Sequence, residues 1–229
     1  MFAGKNKTVA LAALTAAGLC GGAQAGTITG KFTYDLKSTV DITASGGIYN
    51  GNVNTVAFHW KRTDHSGAGV DSSVPITFDT YCVDLRQSVS ASQSYTFNVI
   101  PLANAGYSQT KMDLLRTLWT LNKPAVNTST VAAAFQVAIW EIIYDTNNNI
   151  TTGTFKLNSP TSVRNVATNM LNTAVAMRGK APMANLVVLR SDCAQDQLCE
   201  LPPSIPTPGT ATLAAAGVLM AVRRKRKQA

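Results

Sequence analysis

The chain has 229 residues, and 20 Lys and Arg against 12 Asp and Glu give it a formal net charge of +8. Two of those cations fall in the first 25 residues and five in the last seven, so the stretch between them holds 13 against 12, about +1. The basic excess therefore belongs to the ends, and the body lacks the electrostatic footprint of nucleic-acid binding. The remaining stretch of about 178 residues suffices for one domain with its own core.

Residues 1–25 read MFAGKNKTVALAALTAAGLCGGAQA. Lys5 and Lys7 precede an apolar run from Thr8 to Cys20, and Ala23-Gln24-Ala25 offers a small-x-small site before Gly26. This is the pattern of a secretory signal peptide, cut by signal peptidase between Ala25 and Gly26.

From Thr27 to Leu102 the segments TITGKFTYDL, VDITASG, VNTVAFHWKR, ITFDTYCVDL and SYTFNVIPL are β-branched and aromatic, partly alternating, and separated by Gly, Asn, Asp and Ser clusters. They read as strands joined by turns. The period then changes. SQTKMDLLRTLWTLN is a helix with Ser108 or Thr110 as cap, and TSTVAAAFQVAIWEIIYD is a second helix capped by Ser129 or Thr130. The second is apolar nearly all round and should be buried. TNNNITTGTFKLN returns to turn and strand, SPTSVRNVATNMLNTAVAM is a third helix, and ANLVVLRS is the last expected strand. A strand-rich half with helices inserted before a final strand argues α+β: a β-sandwich or barrel-like core, with the helical segment carrying Gln136.

Export makes the cysteines informative, because thiols tend to pair in an oxidising compartment. Without Cys20 the body holds Cys82, Cys193 and Cys199. CAQDQLC reads as a flexible polar segment in which Cys193 and Cys199 could close a local disulfide. Pairing Cys82 with either would leave the other orphaned. If Cys82 stands alone, several readings are open. It is a small apolar core residue, or a nucleophile served by His59 or His65, neither of which carries a catalytic signature. No CxxC or His/Cys cluster marks a metal site, and no metal or cofactor is expected.

Tyr81-Cys82-Val83-Asp84 and Gln136-Val137-Ala138-Ile139-Trp140 resemble the two signatures of bacterial Cys-Gln thioester domains. In that family a cysteine thiol condenses with a glutamine amide and releases ammonia. Phe135 stands where a Thr often precedes the Gln. The resemblance implies a cross-link between Cys82 and Gln136 that bonds covalently to an amine or hydroxyl on a surface or matrix polymer, a single-use adhesin rather than a turnover enzyme. A buried Gln136 on an alanine-lined face would be costly without such a partner. Trp140, one turn away, is the expected lid, Tyr81 is a further shield, and Asp84 or Glu141 would orient the incoming nucleophile or take its proton. The alternative is a non-covalent matrix protein of the same fold without the bond.

The tail reads ELPPSIPTPGTATLAAAGVLMAVRRKRKQA. An apolar run from Ala211 to Val222 is bounded by Pro206-Thr207-Pro208 and by five basic residues. The run is short for a roughly 30 Å hydrocarbon core, and its cations would stay cytoplasmic. It resembles a PEP-CTERM sorting tail, with Thr207 in place of the usual Glu. That resemblance implies transient inner-membrane retention, cleavage by an exosortase-type enzyme, and release to the surface or matrix of a Gram-negative-type bacterium. The expected layout is thus a signal peptide over 1–25, a thioester domain over 26–200 and a sorting tail over 201–229.

Overall fold

The computed structural model describes residues 26–66 and 73–203. The expected signal peptide, with Ala25 at its cleavage site, and the Pro206-Thr207-Pro208 motif with its apolar run lie outside the described residues. Among the described residues no helix is long and apolar enough to cross a membrane.

The fold is α+β. Seven antiparallel strands, β1 (Thr27–Ala44), β2 (Tyr49–Ser66), β3 (Thr77–Cys82), β4 (Tyr95–Pro101), β5 (Phe155–Ser159), β6 (Leu186–Arg190) and β7 (Gln197–Glu200), accompany three helices. The helices are α1 (Gln109–Asn122), α2 (Ser129–Tyr144) and α3 (Thr161–Met177). The order β2-β3-β7-β6-β4-β1 is closed by a β1–β2 pairing, so six strands form a barrel, and β5 extends the sheet along β1.

One long strand makes that arrangement possible. The start of β1, Thr27–Gly30, pairs with β4, and its far end, Asp41–Ala44, pairs with β5, while β2 runs beside it throughout. The β1–β2 register shifts between Asp35 and Ser38, where Leu36 has φ 48°. A bulge of this kind bends a strand and increases its twist. Here it separates the part of the hairpin that closes the barrel from the part that carries β5. The two strands expected over 27–36 and 40–46 are therefore one.

Aromatic side chains fill the barrel. Trp60 lies 4.9 Å from Phe32 and 5.2 Å from Phe97 between ring centroids, and its indole donates to Thr80 Oγ1 at 2.9 Å. Thr80 in turn donates to Gln197 Oε1 on β7, so the polar atoms inside the barrel are bonded to one another. Burying a side chain of this size contributes roughly 1.5–3 kcal/mol.

Ser108 caps α1 by accepting from the Lys111 N–H, as expected, whereas α2 is capped by Thr128, which accepts from the Val131 N–H. α2 runs between the barrel and the other two helices, and Ala132 to Ile142 are all buried. Its alanines let backbones approach closely, and that brings residue 136 to β3.

Candidate functional site

β2 and β3 pair from Lys61 opposite Thr77 to Phe58 opposite Thr80, and there their ladder ends. β3 continues two residues further against β7, with Cys82 opposite Gln197 and the Val83 N–H donating to Asp196 O. The backbone N–H and C=O of Cys82 face the side that β2 has left. A buried backbone pair left open there would cost about 1–3 kcal/mol per group.

Gln136 fills the gap. Its Oε1 accepts from the Cys82 N–H at 2.9 Å, and its Nε2 donates to the Cys82 carbonyl at 2.8 Å. The side-chain amide supplies the donor and acceptor that the next β2 residue would have supplied. Cys82 is 3% exposed and Gln136 1% exposed, so the pair is dry.

The thiol is held as closely. Cys82 Sγ donates to the Asp84 carbonyl at 2.9 Å. Burial pushes its pKa well above the usual thiol range, and the Asp84 and Asp196 carboxylates push it the same way. The Trp140 indole lies beside the sulfur and opposes that shift. Its Nε1 is itself buried without a hydrogen bond of normal geometry. The group at rest is a neutral thiol next to a neutral amide.

Three of the expected residues therefore meet: Cys82, Gln136 and Trp140. Asp84 contributes mainly through its backbone, since its Oδ1 accepts the Arg86 N–H. Tyr81 points to the opposite face of β3, packing edge-on against Phe135 at 4.8 Å and Trp119 at 5.8 Å. It fastens the strand to α1 and α2 and does not cover the thiol. Glu141 is also turned away. Its Oε1 accepts the Asn149 N–H at 2.7 Å, and its near neighbours are Asp145 and Lys111.

Tyr144, two turns after Gln136, was not anticipated. Its hydroxyl donates to Val83 O at 3.3 Å and accepts from the Leu85 N–H at 2.9 Å, fixing the segment that follows Cys82. Gln195 supports the same segment by donating to Asp84 O and Gln87 O. The helical spacing 136, 140, 144 was available as a signal for Tyr144. Gln195 had none, because it lies in a stretch that reads as flexible.

Neither imidazole meets the thiol. His59 is bonded through Nδ1 to Asp79 at 2.7 Å and through Nε2 to Asp35 at 2.9 Å, and it alternates to the other face of the sheet. His65 lies beyond the other end of the β2–β3 ladder.

Cys193 and Cys199 are free thiols, contrary to the expected disulfide. Gln197–Glu200 is strand β7 rather than a flexible turn, and it buries Cys199 in the sheet opposite Thr80 and Val187. Cys193 stays exposed on the preceding loop. Among the described residues no group of three His, Cys, Asp or Glu is placed to hold a metal ion.

No family model matches the chain, and no curated protein matches it. Among solved structures it is similar to the N-terminal thioester domain of a surface protein from Clostridium perfringens, at 13% identity and a TM-score of 0.38. The match covers 76% of this chain and 97% of that one. A likeness of that size does not place the chain in a family.

Proposed function

We propose that Cys82 and Gln136 condense to an internal thioester, and that the protein is an exported surface or matrix protein which attaches covalently to an amine or hydroxyl on a partner polymer. The observation that supports this is the two-point clamp of the Gln136 amide on the backbone of Cys82. It holds an electrophilic carbonyl beside the one residue whose thiol would attack it.

Sulfur adds to Gln136 Cδ, and the oxygen that gains charge is already hydrogen-bonded to the Cys82 N–H, which is the geometry of an oxyanion hole. The thiol proton passes to the amide nitrogen, the C–N bond breaks and ammonia leaves. A neutral thiol and amide thus yield a neutral thioester and ammonia, a balance suited to a site where burial penalises charge. Exclusion of water by Trp140 and its neighbours protects the acyl group from hydrolysis. An incoming amine or hydroxyl then takes the Gln136 acyl carbon, and its proton ends on the Cys82 thiol.

Export, retention by the tail and release by an exosortase-type enzyme complete the reading, supported by the sequence of the two ends. The second reading, a non-covalent matrix protein, is favoured by the same two bonds, because they also satisfy Gln136 as a plain core amide. Intact mass separates the two. The bonded form lacks one ammonia, and Cys82→Ala and Gln136→Ala each restore full mass. Full mass in the wild type, with Cys82 titrating as a thiol once unfolded, supports the non-covalent reading.

A further inference from the structure

At the barrel mouth, next to the segment after Cys82, the wide β1–β2 hairpin and residues 85–91 enclose a cavity of about 390 Å³. Tyr34, Tyr49, Asn52 and Asn54 line the hairpin side, and Gln87 and Gln195 line the other. Val56, Phe58 and Leu85 contribute apolar surface. Among the described residues Lys37 is the one charged side chain on its wall.

The chemistry of this lining is selective. The Asn52 amide offers a donor and an acceptor together, which suits a hydroxyl that also does both, and Asn54, whose Oδ1 already accepts from Thr39, keeps its Nδ2. Tyr34 is 48% exposed, and its ring provides a flat apolar face. No carboxylate lines the wall to receive a basic peptide, and a single lysine is too little for a polyanion. Gln87 contributes its stem to the wall, because its Oε1 is buried away from the cavity and its Nε2 is turned to Asp192 O at 3.4 Å.

The cavity is also tied to the thiol. Gln195 Nε2 donates to the carbonyl of Asp84 at 3.0 Å and to that of Gln87 at 3.1 Å. The same Asp84 carbonyl accepts from Cys82 Sγ. One oxygen is shared by the cavity wall and the reactive group.

We infer that this cavity is a saccharide subsite, seating a neutral sugar unit with its C–H face on Tyr34 and its hydroxyls on the Asn52 and Asn54 amides. Its role in presenting a polymer to the bond rests on the thioester reading, whereas sugar binding itself does not. The test titrates cello-, chito- and malto-oligosaccharides into the Cys82→Ala chain by calorimetry, so that no acyl transfer can occur. Saturable binding of at least one is expected, weakened about tenfold by Tyr34→Ala and similarly by Asn52→Ala, with the unfolding midpoint confirming that each variant is folded. Absence of saturable binding by all three overturns the inference. So does binding that Tyr34→Ala leaves unchanged, or a preference for a sulfated polysaccharide that Lys37→Ala abolishes. Sugar binding together with full mass in the wild type would remove the thioester and keep the subsite. An ammonia deficit without sugar binding would do the reverse.

Discussion

Gln136 and Glu141 lie on one helix, five residues apart, and both are almost wholly buried. Gln136 is neutral, and both polar atoms of its amide are bonded to a single backbone residue. Glu141 satisfies one oxygen on the Asn149 N–H and leaves the other buried without a partner. Burial pushes its pKa up to about 7, with Asp145 adding to the shift and the Asn149 N–H and Lys111 opposing it. The difference teaches that burial alone does not mark a reactive polar group. A fully satisfied amide can be held still for chemistry, whereas a half-satisfied carboxyl makes the fold sensitive to pH.

Removing the clamp should have the largest effect. Gln136→Leu leaves the N–H and C=O of Cys82 unpaired in a dry site, and a loss of about 2–4 kcal/mol in urea unfolding is expected. Gln136→Glu keeps the shape but imports the behaviour of Glu141. Its stability should fall as pH rises above the ordinary Glu value of 4.5, where the wild-type amide is indifferent.

Next comes Glu141 itself. Its folded pKa is raised, so the native state holds the proton more tightly than the unfolded chain, and stability declines as pH climbs from 4.5 towards about 7. Glu141→Gln should remove roughly 2–3 kcal/mol of that decline. Unfolding curves at a series of pH values check this, and parallel profiles for the two proteins would contradict it. The intact mass should differ from that of the wild type only by the substitution itself, because Glu141 faces away from the thiol.

The smallest effect is expected from Tyr144→Phe, one helical turn beyond Trp140. It removes both hydroxyl bonds to the 83–85 segment at a cost of about 1 kcal/mol. Faster hydrolysis of the proposed thioester, followed by the appearance of a titratable Cys82, would show that this segment shields the bond.

Much of this was legible from local pattern. The alternation over β1 to β4 and the helical period after Ser108 marked the elements, although two expected strands are the single β1, and the apolar girth of α2 announced its burial. The motif Gln136 to Trp140 placed the two residues that join Cys82 at the site, because helical spacing fixes which side chains share a face. What stayed hidden was non-local. Residues 193–199 read as a flexible polar loop, yet Gln197 is buried because Thr80, 117 positions earlier, donates to its amide. Tyr81 and Glu141 were placed near the thiol by proximity in sequence, and strand alternation and helix rotation carry each of them to another face.

The closing position of β7 has a consequence in time. It comes from residues 197–200, yet it forms the β3 and β6 sides of one ladder, between strands that precede α1 and follow α3. A chain emerging amino-end first presents Cys82 long before β7 arrives to brace it. Contacts so distant in sequence form late. The barrel wall around residue 82 is completed only when nearly the whole domain is present, so the site is among the last parts of the fold to mature.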